Sequence, residues 1–210
     1  DMLEDLVEGI VDTHYPEGNY QAIRDEVLRH LAVDVELDET EWARMGDDGL
    51  IDHIISRAYE VYRAKEKLIS EPFYNIVKQI SEGDSERRPG RIQVIFTDGL
   101  RRIRVIVNVE KALANEGREV VRALERTAIL STIDDKWMEH LRELDAVKEG
   151  IGLRSFGQKD PLLEYKKEAF EMFRELLEEI SQETISMIWK AIPEMQAGAA
   201  SVQQARQQKA

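Results

Sequence analysis

Residues 150–161, GIGLRSFGQKDP, decide the fold because they separate two long stretches of helical periodicity. The segment carries three glycines together with apolar side chains at Ile151, Leu153 and Phe156. Asp160 is suited to cap the helix that follows, and a proline in the next position fits a first helical turn. We therefore predict that a loop of about ten residues returns the chain and that the two helices lie antiparallel.

The two flanking stretches, from about 118 to 149 and from 161 to about 191, repeat apolar residues every three or four positions. Each predicted helix of about 30 residues spans roughly 45 Å. The first apolar stripe comprises Val121, Leu124, Ala128, Ile133, Trp137, Leu141 and Leu144. The second comprises Leu162, Tyr165 or Lys166, Ala169, Phe173, Leu176, Ile180, Thr184 and Ile188. We expect these stripes to form the seam between the helices.

The N-terminal half predicts three more helices, over 1–15, 20–33 and 48–82, with a kink or break near Pro72. Between the second and third helices lies DVELDETEWARMGDDG, which carries seven acids and one arginine. We interpret this segment as a solvated loop anchored by Trp42. A docking site for a basic partner is the alternative.

The period changes in RIQVIFTDGLRRIRVIVNV, residues 91–109, where two β-rich runs flank Asp98 and Gly99. This pattern predicts a β-hairpin that must pack against other elements to be stable. One face would carry Ile92, Val94 and Phe96 opposite Ile103, Val105 and Val107. Six arginines cluster around it: Arg87, Arg88, Arg91, Arg101, Arg102 and Arg104. They either discourage strand pairing at an exposed edge or form a contact surface for an anionic partner.

Composition limits the possible functions. The chain of 210 residues has a formal net charge of −13, which repels nucleic-acid phosphates and suits a basic protein partner. It has no cysteine, so disulfides, thiolate nucleophiles and cysteine-bound zinc are excluded. No apolar run approaches the roughly 20 residues that span a bilayer, and the acidic N-terminus is not a signal peptide. Because the chain begins within a helical pattern and without methionine, we expect it to be part of a longer protein.

The sequence contains no motif that predicts catalysis, and we assign no catalytic or metal-binding residue. The strongest metal candidate is the helical segment with Asp134, Asp135, Glu139, His140 and Glu143. A metal site in a helical bundle needs matching ligands on a second helix, and residues 161–191 supply no histidine and no inward-facing acid pair. Charge pairs along a solvated helix face explain the same residues. A helical metalloenzyme and a stand-alone acidic adaptor for a basic protein partner remain the alternatives to an interaction module within a larger protein.

Residues 128–180 resemble the C-terminal region of the SecA family, the ATP-driven motors of bacterial preprotein translocation. The matching positions are Ile133, Asp134, Trp137, His140 and Leu141, then Gly150, Ile151, Leu153, Arg154, Phe156, Gln158, Asp160 and Pro161, then Glu164, Tyr165, Glu168, Phe170, Met172 and Phe173. The resemblance is strong over about 117–191 and looser over 1–82. It implies a mainly α fold: a long antiparallel hairpin, the two-helix finger, on a helical scaffold with a small helical wing domain.

The resemblance also implies a domain order. Residues 1–16 and 117–192 would form the scaffold with the finger, and residues 17–116 would form the wing with a β-hairpin insert at 91–109. Residues 193–210, rich in alanine and glutamine, would be a disordered linker.

The resemblance further implies which residues act. The finger tip that contacts the SecY channel and the translocating preprotein would comprise Ile151, Leu153, Arg154, Ser155, Phe156, Gly157, Gln158 and Lys159. The residues that build the finger would be Trp137, His140, Leu141, Asp160, Pro161, Tyr165, Phe170 and Phe173. The finger would also restrain the motor's ATPase and help to bind the signal peptide. The implied location is cytoplasmic, with peripheral association at the inner face of the plasma membrane.

Three departures from the family pattern matter. Phe156 stands where the family usually has tyrosine, so the ring is kept and the hydroxyl is lost. Gly152 stands where histidine is common, which makes the loop more flexible. The nucleotide-binding folds, the preprotein-crosslinking domain and the zinc-binding tail of the family are absent from these 210 residues. We therefore expect no ATP, Mg²⁺ or zinc to bind this chain.

Overall fold

A computed structural model describes residues 1–82, 89–154 and 160–194, and it confirms a mainly helical fold with a small antiparallel sheet. The helices are α1 (Met2–His14), α2 (Tyr20–Leu31), α3 (Glu39–Glu82), α4 (Val109–Ala114), α5 (Glu119–Arg154) and α6 (Pro161–Lys190). A 3₁₀ turn, Tyr15–Glu17, follows α1. The strands are β1 (Arg91–Thr97), β2 (Arg102–Asn108) and β3 (Ile192–Pro193).

The chain divides into two compact units. The first unit comprises Asp1–Ala128 together with the chain from Ile185 onward, and the second is Ile129–Thr184. The second unit therefore consists of the distal part of α5 and most of α6. The boundaries between scaffold and wing at residues 16 and 116 stay predictions.

α1 begins with a capping box and supplies one face to the core of the first unit. The Asp1 carboxylate accepts the backbone N–H of Leu3 at 2.9 Å, and this satisfies a donor that the first helical turn leaves free. Five side chains of α1 are buried: Leu3, Leu6, Val7, Ile10 and Val11. Gly18, with φ of 65°, then turns the chain into α2.

The acidic segment before residue 48 is not entirely a loop, as the sequence analysis had it, because α3 already begins at Glu39. Asp38 caps this start: its Oδ1 accepts the backbone N–H groups of Thr40 and Glu41, each at 2.9 Å. Trp42 is buried, as an anchor should be, and its indole N–H donates to the Leu37 carbonyl at 3.0 Å. The acidic composition therefore concealed a capped helical turn.

The interruption of α3 lies at Gly46, not at Pro72 as predicted. Gly46 has φ of 73° and ψ of 175°, the non-helical torsion angles within α3, whereas the helix continues through Pro72. Positive φ is easily adopted by glycine, which has no Cβ to clash with the backbone. The predicted helix over 48–82 is otherwise confirmed.

The predicted hairpin is confirmed in position, and its connecting turn comprises the four residues 98–101. Ile92 pairs with Val107, Val94 with Val105, and Phe96 with Ile103, so the expected apolar residues share one face. That face packs into the core, where Phe96, Val105 and Val107 are fully buried. Asp98 shapes the connecting turn, because its carboxylate accepts the N–H groups of Leu100 and Arg101.

Two elements were not predicted. α4 follows β2 directly and is capped by Asn108, whose side chain accepts the Lys111 N–H at 2.9 Å. β3 adds to the other side of β1, where Ile192 pairs with Thr97, so the strand order is β2–β1–β3. The Glu194 N–H extends this contact to the Ile95 carbonyl at 2.8 Å. Of the predicted linker 193–210, residues 195–210 lie outside the described part of the chain.

The C-terminal turn of α6 is anchored on α3 by Trp189 and Lys65. The Trp189 ring stacks on Tyr62 with centroids 4.6 Å apart, and its indole N–H donates to the Ala58 carbonyl at 3.3 Å. The Lys65 ammonium donates to the carbonyls of Ile188 and Trp189, both at 2.7 Å. A cation at this position satisfies the free carbonyls of the helix end and its negative dipole. Burial lowers the pKa of Lys65 to about 8.

Gly117 ends the connection between α4 and α5, as predicted for a helix boundary, and it lies against α3. It has φ of 85°, and a Cβ added there would lie 2.3 Å from the Ser70 carbonyl oxygen and 3.0 Å from Tyr74 Cβ. Both the torsion angle and the contact with α3 therefore require glycine.

We expect Gly117→Ala to lower the free energy of unfolding by more than about 2 kcal/mol, because alanine is strained at this φ and collides with the backbone of α3. Gly9→Ala is the matched control. Gly9 lies within α1, and a Cβ there meets nothing within 4 Å, so this change should stabilise the protein by up to about 1 kcal/mol. Urea unfolding measures both, and equal effects would contradict the close approach.

The lowered pKa of Lys65 also predicts that the stability of the protein depends on pH. Because its pKa is lowered in the folded protein, the unfolded chain binds more protons at this site above about pH 8. The free energy of unfolding should therefore rise between about pH 8 and about pH 10, with a slope of up to about 1.4 kcal/mol per pH unit. Lys65→Met should remove this rise, and Lys78→Met, at an exposed position of α3, should leave it unchanged. An identical pH profile for wild type and Lys65→Met in urea unfolding would refute the assignment.

Candidate functional site

The loop between α5 and α6 was the predicted contact site, and the structure describes its two ends. α5 continues to Arg154, five residues further than the pattern indicated, and α6 begins at Pro161. The Asp160 carboxylate accepts the Leu162 N–H at 2.9 Å, so the predicted N-cap is present. Of the predicted tip, the side chains of Ile151, Leu153 and Arg154 and all of residues 155–159 lie outside what is described.

The seam between α5 and α6 in the second unit differs from the predicted stripe on α5. Ile133, Trp137 and Leu141 are 40%, 45% and 43% exposed, so they do not form its centre. The buried positions are instead Thr132 and His140 on α5, and on α6 Leu176, Ile180 and Thr184, which the stripe of α6 did include. On α5 the buried positions therefore each lie one residue before a position of the predicted apolar stripe, which rotates the buried face of the helix.

A lysine explains this rotation. Lys136 lies in the seam, one turn from both Thr132 and His140, and its ammonium is 2.9 Å from a Glu179 carboxylate oxygen and 2.8 Å from a Glu183 oxygen. Glu139 lies 3.6 Å away on the same helix. The hydrogen bonds that the Lys136 ammonium donates to the Glu183 and Glu179 carboxylates raise its pKa, so it stays cationic throughout the neutral range.

Sequence reasoning anticipated the pairing of Lys136 with Glu139 but missed the two glutamates of α6 that join it, Glu179 and Glu183. Glu179 and Glu183 are four residues apart and therefore lie on one face of α6. That spacing was the available signal. It did not identify the partner, because nothing in the sequence of α5 distinguishes Lys136 from a solvent-exposed lysine.

The residues that were predicted to build the finger fall into two groups in the structure. His140, Asp160 and Pro161 lie within the seam or at the helix start. The Trp137 ring lies 5.7 Å from the His140 ring, which in turn lies 6.2 Å from the Phe173 ring. Tyr165 is half-buried, whereas Trp137, Leu141, Phe170 and Phe173 are exposed. The aromatic residues therefore continue from the seam onto the surface.

The second unit has two different faces. We call the first the apolar face, and it comprises Leu130, Ile133, Trp137, Leu141, Phe170, Phe173 and Leu177, all exposed. We call the second the acidic face, where a cavity of about 100 Å³ is lined by Lys136, Glu139, His140, Glu143, Met172, Glu175, Leu176 and Glu179. Exposed apolar side chains of this kind are typical of a contact site.

Among the described residues, the candidate metal ligands on α5 do not form a cluster that could bind a metal ion. Among residues 1–82, 89–154 and 160–194, no group of three or more histidine, aspartate or glutamate side chains is placed to hold a metal ion. Asp135, Glu139 and Glu143 are exposed along α5, and the His140 ring is packed between aromatic rings. Within the same residues, none of the helices combines the length and the apolar content that crossing a bilayer requires.

Comparison of the sequence with known proteins finds similarity to a protein family over most of the chain. The sequence model of the SecA wing and scaffold domain matches residues 1–192. The protein translocase subunit SecA of Salinibacter ruber is 45% identical over 192 residues, 91% of this chain and 17% of that protein. The SecA subunits of Christiangramia forsetii and Chloroherpeton thalassium are 34% and 33% identical, over 99% and 94% of this chain and over 18% and 14% of their own lengths. The chain therefore spans less than a fifth of these relatives.

We expect Lys136→Met to lower the free energy of unfolding by about 1–2 kcal/mol, because Glu179 and Glu183 would keep their charges beside an apolar side chain. Lys167→Met, at an exposed position of α6, is the control and should change stability by less than about 0.5 kcal/mol. In a double-mutant cycle with Glu183→Gln, the two effects should be less than additive. Additive effects in urea unfolding would show that the two residues do not interact.

Proposed function

The chain belongs to the SecA family, whose wing and scaffold domain it contains, and on that premise we propose that it forms the non-catalytic scaffold and wing of the protein-export motor. The observation that carries this proposal is the family match over residues 1–192. The ATP and Mg²⁺ of the motor and the zinc of the family's tail would then be bound by parts of the protein outside this chain.

Within this role, the α5–α6 hairpin acts as the finger that contacts the SecY channel and the translocating preprotein. The capped reversal at Asp160 and Pro161 supports this, as do the apolar residues Ile151, Leu153 and Phe156 in the intervening sequence. A passing polypeptide has no fixed sequence, so its contact has to tolerate many side chains. Aliphatic and aromatic side chains provide such contacts because apolar burial is not directional.

The seam supports a mechanical role. The Lys136 cluster ties two helices through charged hydrogen bonds at 2.8 and 2.9 Å, and such bonds are stronger than those between neutral groups. A hairpin held in this way can transmit a displacement along its length instead of bending at each turn. Regulation of the motor's ATPase and a share in signal-peptide binding would follow from contacts of the same hairpin with the rest of the motor.

The proposed place of action is the cytoplasmic side of the bacterial plasma membrane, with peripheral association through SecY. The net charge of −13 makes nucleic acid an unsuitable partner. The apolar face of the second unit supports protein partners instead, because it offers exposed aromatic and aliphatic side chains.

We expect a cysteine at the tip to form crosslinks with a translocating chain. The 210 residues contain no cysteine, so Phe156→Cys in the full-length protein places a single thiol in this region. With a preprotein stalled in the channel and carrying one cysteine, oxidation should yield crosslinks from position 156. Glu60→Cys, at an exposed position of α3, should yield at least about tenfold fewer, because a disulfide needs Cβ atoms within about 4.5 Å.

Glu171→Cys provides a second control, because Glu171 is an exposed residue within α6 and away from the loop. Crosslinking from position 171 as frequent as from 156 would place the contact along the hairpin instead of at its tip. Equal crosslinking from 60, 156 and 171 would refute the finger proposal altogether.

A further inference from the structure

The β-hairpin has an outer face that neither the core nor the proposed finger function uses. Because paired residues share a face, the register places Ile106 beside Gln93, Arg104 beside Ile95, and Arg102 beside Thr97 and Ile192. Ile106 and Ile192 are 52% and 58% exposed, and Leu100, in the connecting turn, is 92% exposed. The outer face therefore carries exposed aliphatic side chains together with arginines.

The charge of this face is opposite to that of the chain. Arg91, Arg102 and Arg104 lie on it, whereas the chain as a whole carries a net charge of −13. Arg102 is paired with Glu194 at 2.9 Å. Within the described part of the chain, Arg91 and Arg104 have no carboxylate within 4 Å. Arg87 and Arg88, which the sequence pattern included in the same cluster, lie outside the described residues.

β2 also forms one edge of the sheet. The strand order is β2–β1–β3, so β2 pairs on one side only, over all seven of its residues. No described residue outside the sheet makes a backbone hydrogen bond with residues 102–108. An edge strand of this length, without proline and without a bulge, presents alternate N–H and C=O groups to any extended chain beside it.

We propose that the open edge of β2 is a docking site for an extended acidic segment of a partner protein, which adds to the sheet as a neighbouring strand. Its backbone pairs with β2, and this mode of recognition supplies affinity without a fixed sequence. Its carboxylates lie on the outer face beside Arg102 and Arg104. Its alternate side chains lie on the opposite face, the side on which Ile103 and Val105 are buried in the core, and are apolar. The recognised pattern is thus an alternation of acidic and apolar residues.

The charges favour such a partner over a second copy of the chain. Pairing of two β2 strands gathers the arginines of both copies on one face of the joint sheet, and like charges across neighbouring strands are destabilising. A basic strand is rejected for the same reason. The arginines therefore allow the edge to remain open without self-association while selecting an acidic strand.

The edge also favours a strand over an anionic lipid surface. A bilayer would interact with the arginines and Leu100, but it would leave the unpaired backbone groups on every second residue of β2 without partners. An extended peptide uses the charges, the apolar residues and the backbone at once. This inference does not depend on the proposed finger function, because it concerns a different unit of the chain.

The test uses the 210-residue chain and a fluorescein-labelled peptide of nine residues in which glutamate and valine alternate. Fluorescence anisotropy at low salt should detect binding, and affinity should fall with rising ionic strength. Arg104→Glu should weaken binding at least tenfold. Arg122→Glu, at an exposed arginine of α5, should leave it unchanged. Equal thermal unfolding of both variants verifies that the fold is kept.

Two further measurements separate strand addition from simple charge attraction. The same peptide with every backbone amide N-methylated should not bind, because it lacks the N–H donors of a β-ladder. Hydrogen exchange of residues 102–108 should slow when the unmodified peptide is present. Absence of peptide binding, equal binding by both variants, equal binding of the methylated peptide, or binding to phosphatidylglycerol vesicles in place of the peptide would each overturn the proposal.

Discussion

The anchoring of the end of α6 on α3 is the constraint on which the rest of the structure depends. The chain leaves the first unit after Ala128 and re-enters it at Ile185, so the last turn of α6 has to complete a core that was begun by the first half of the sequence. Trp189 does this by filling the space beside Tyr62 and Ala58, and Lys65 satisfies the carbonyls at which the helix ends.

The parts of the fold that were predictable are those whose causes are local. The positions of the two hairpin strands follow from two alternating runs around Asp98 and Gly99, and the start of α6 follows from Asp160 and Pro161. The turn at Gly117 was also visible as a boundary. In each case a few adjacent residues determine the backbone, so one sequence was sufficient.

The parts that were missed depend on residues far apart in the chain. The seam on α5 is centred on Lys136 because Glu179 and Glu183 face it from α6, and this pairing has no signature within α5 alone. β3 has two residues and exists because β1 offers it an edge. The first turns of α3 were predicted as a loop because they are acidic, although Asp38 could have been recognised as an N-cap. The tip residues of the candidate site were identified by family resemblance, since their spacing alone gave only an apolar loop.

The two faces of the second unit have a consequence for how partners can be exchanged. Contacts with the acidic face are electrostatic and weaken as ionic strength rises, whereas contacts with the apolar face depend on displaced water and are little affected. A partner bound at the acidic face would therefore be released as ionic strength rises, whereas a partner bound at the apolar face would stay bound. The salt dependence of binding would thus report which face of the hairpin a partner occupies.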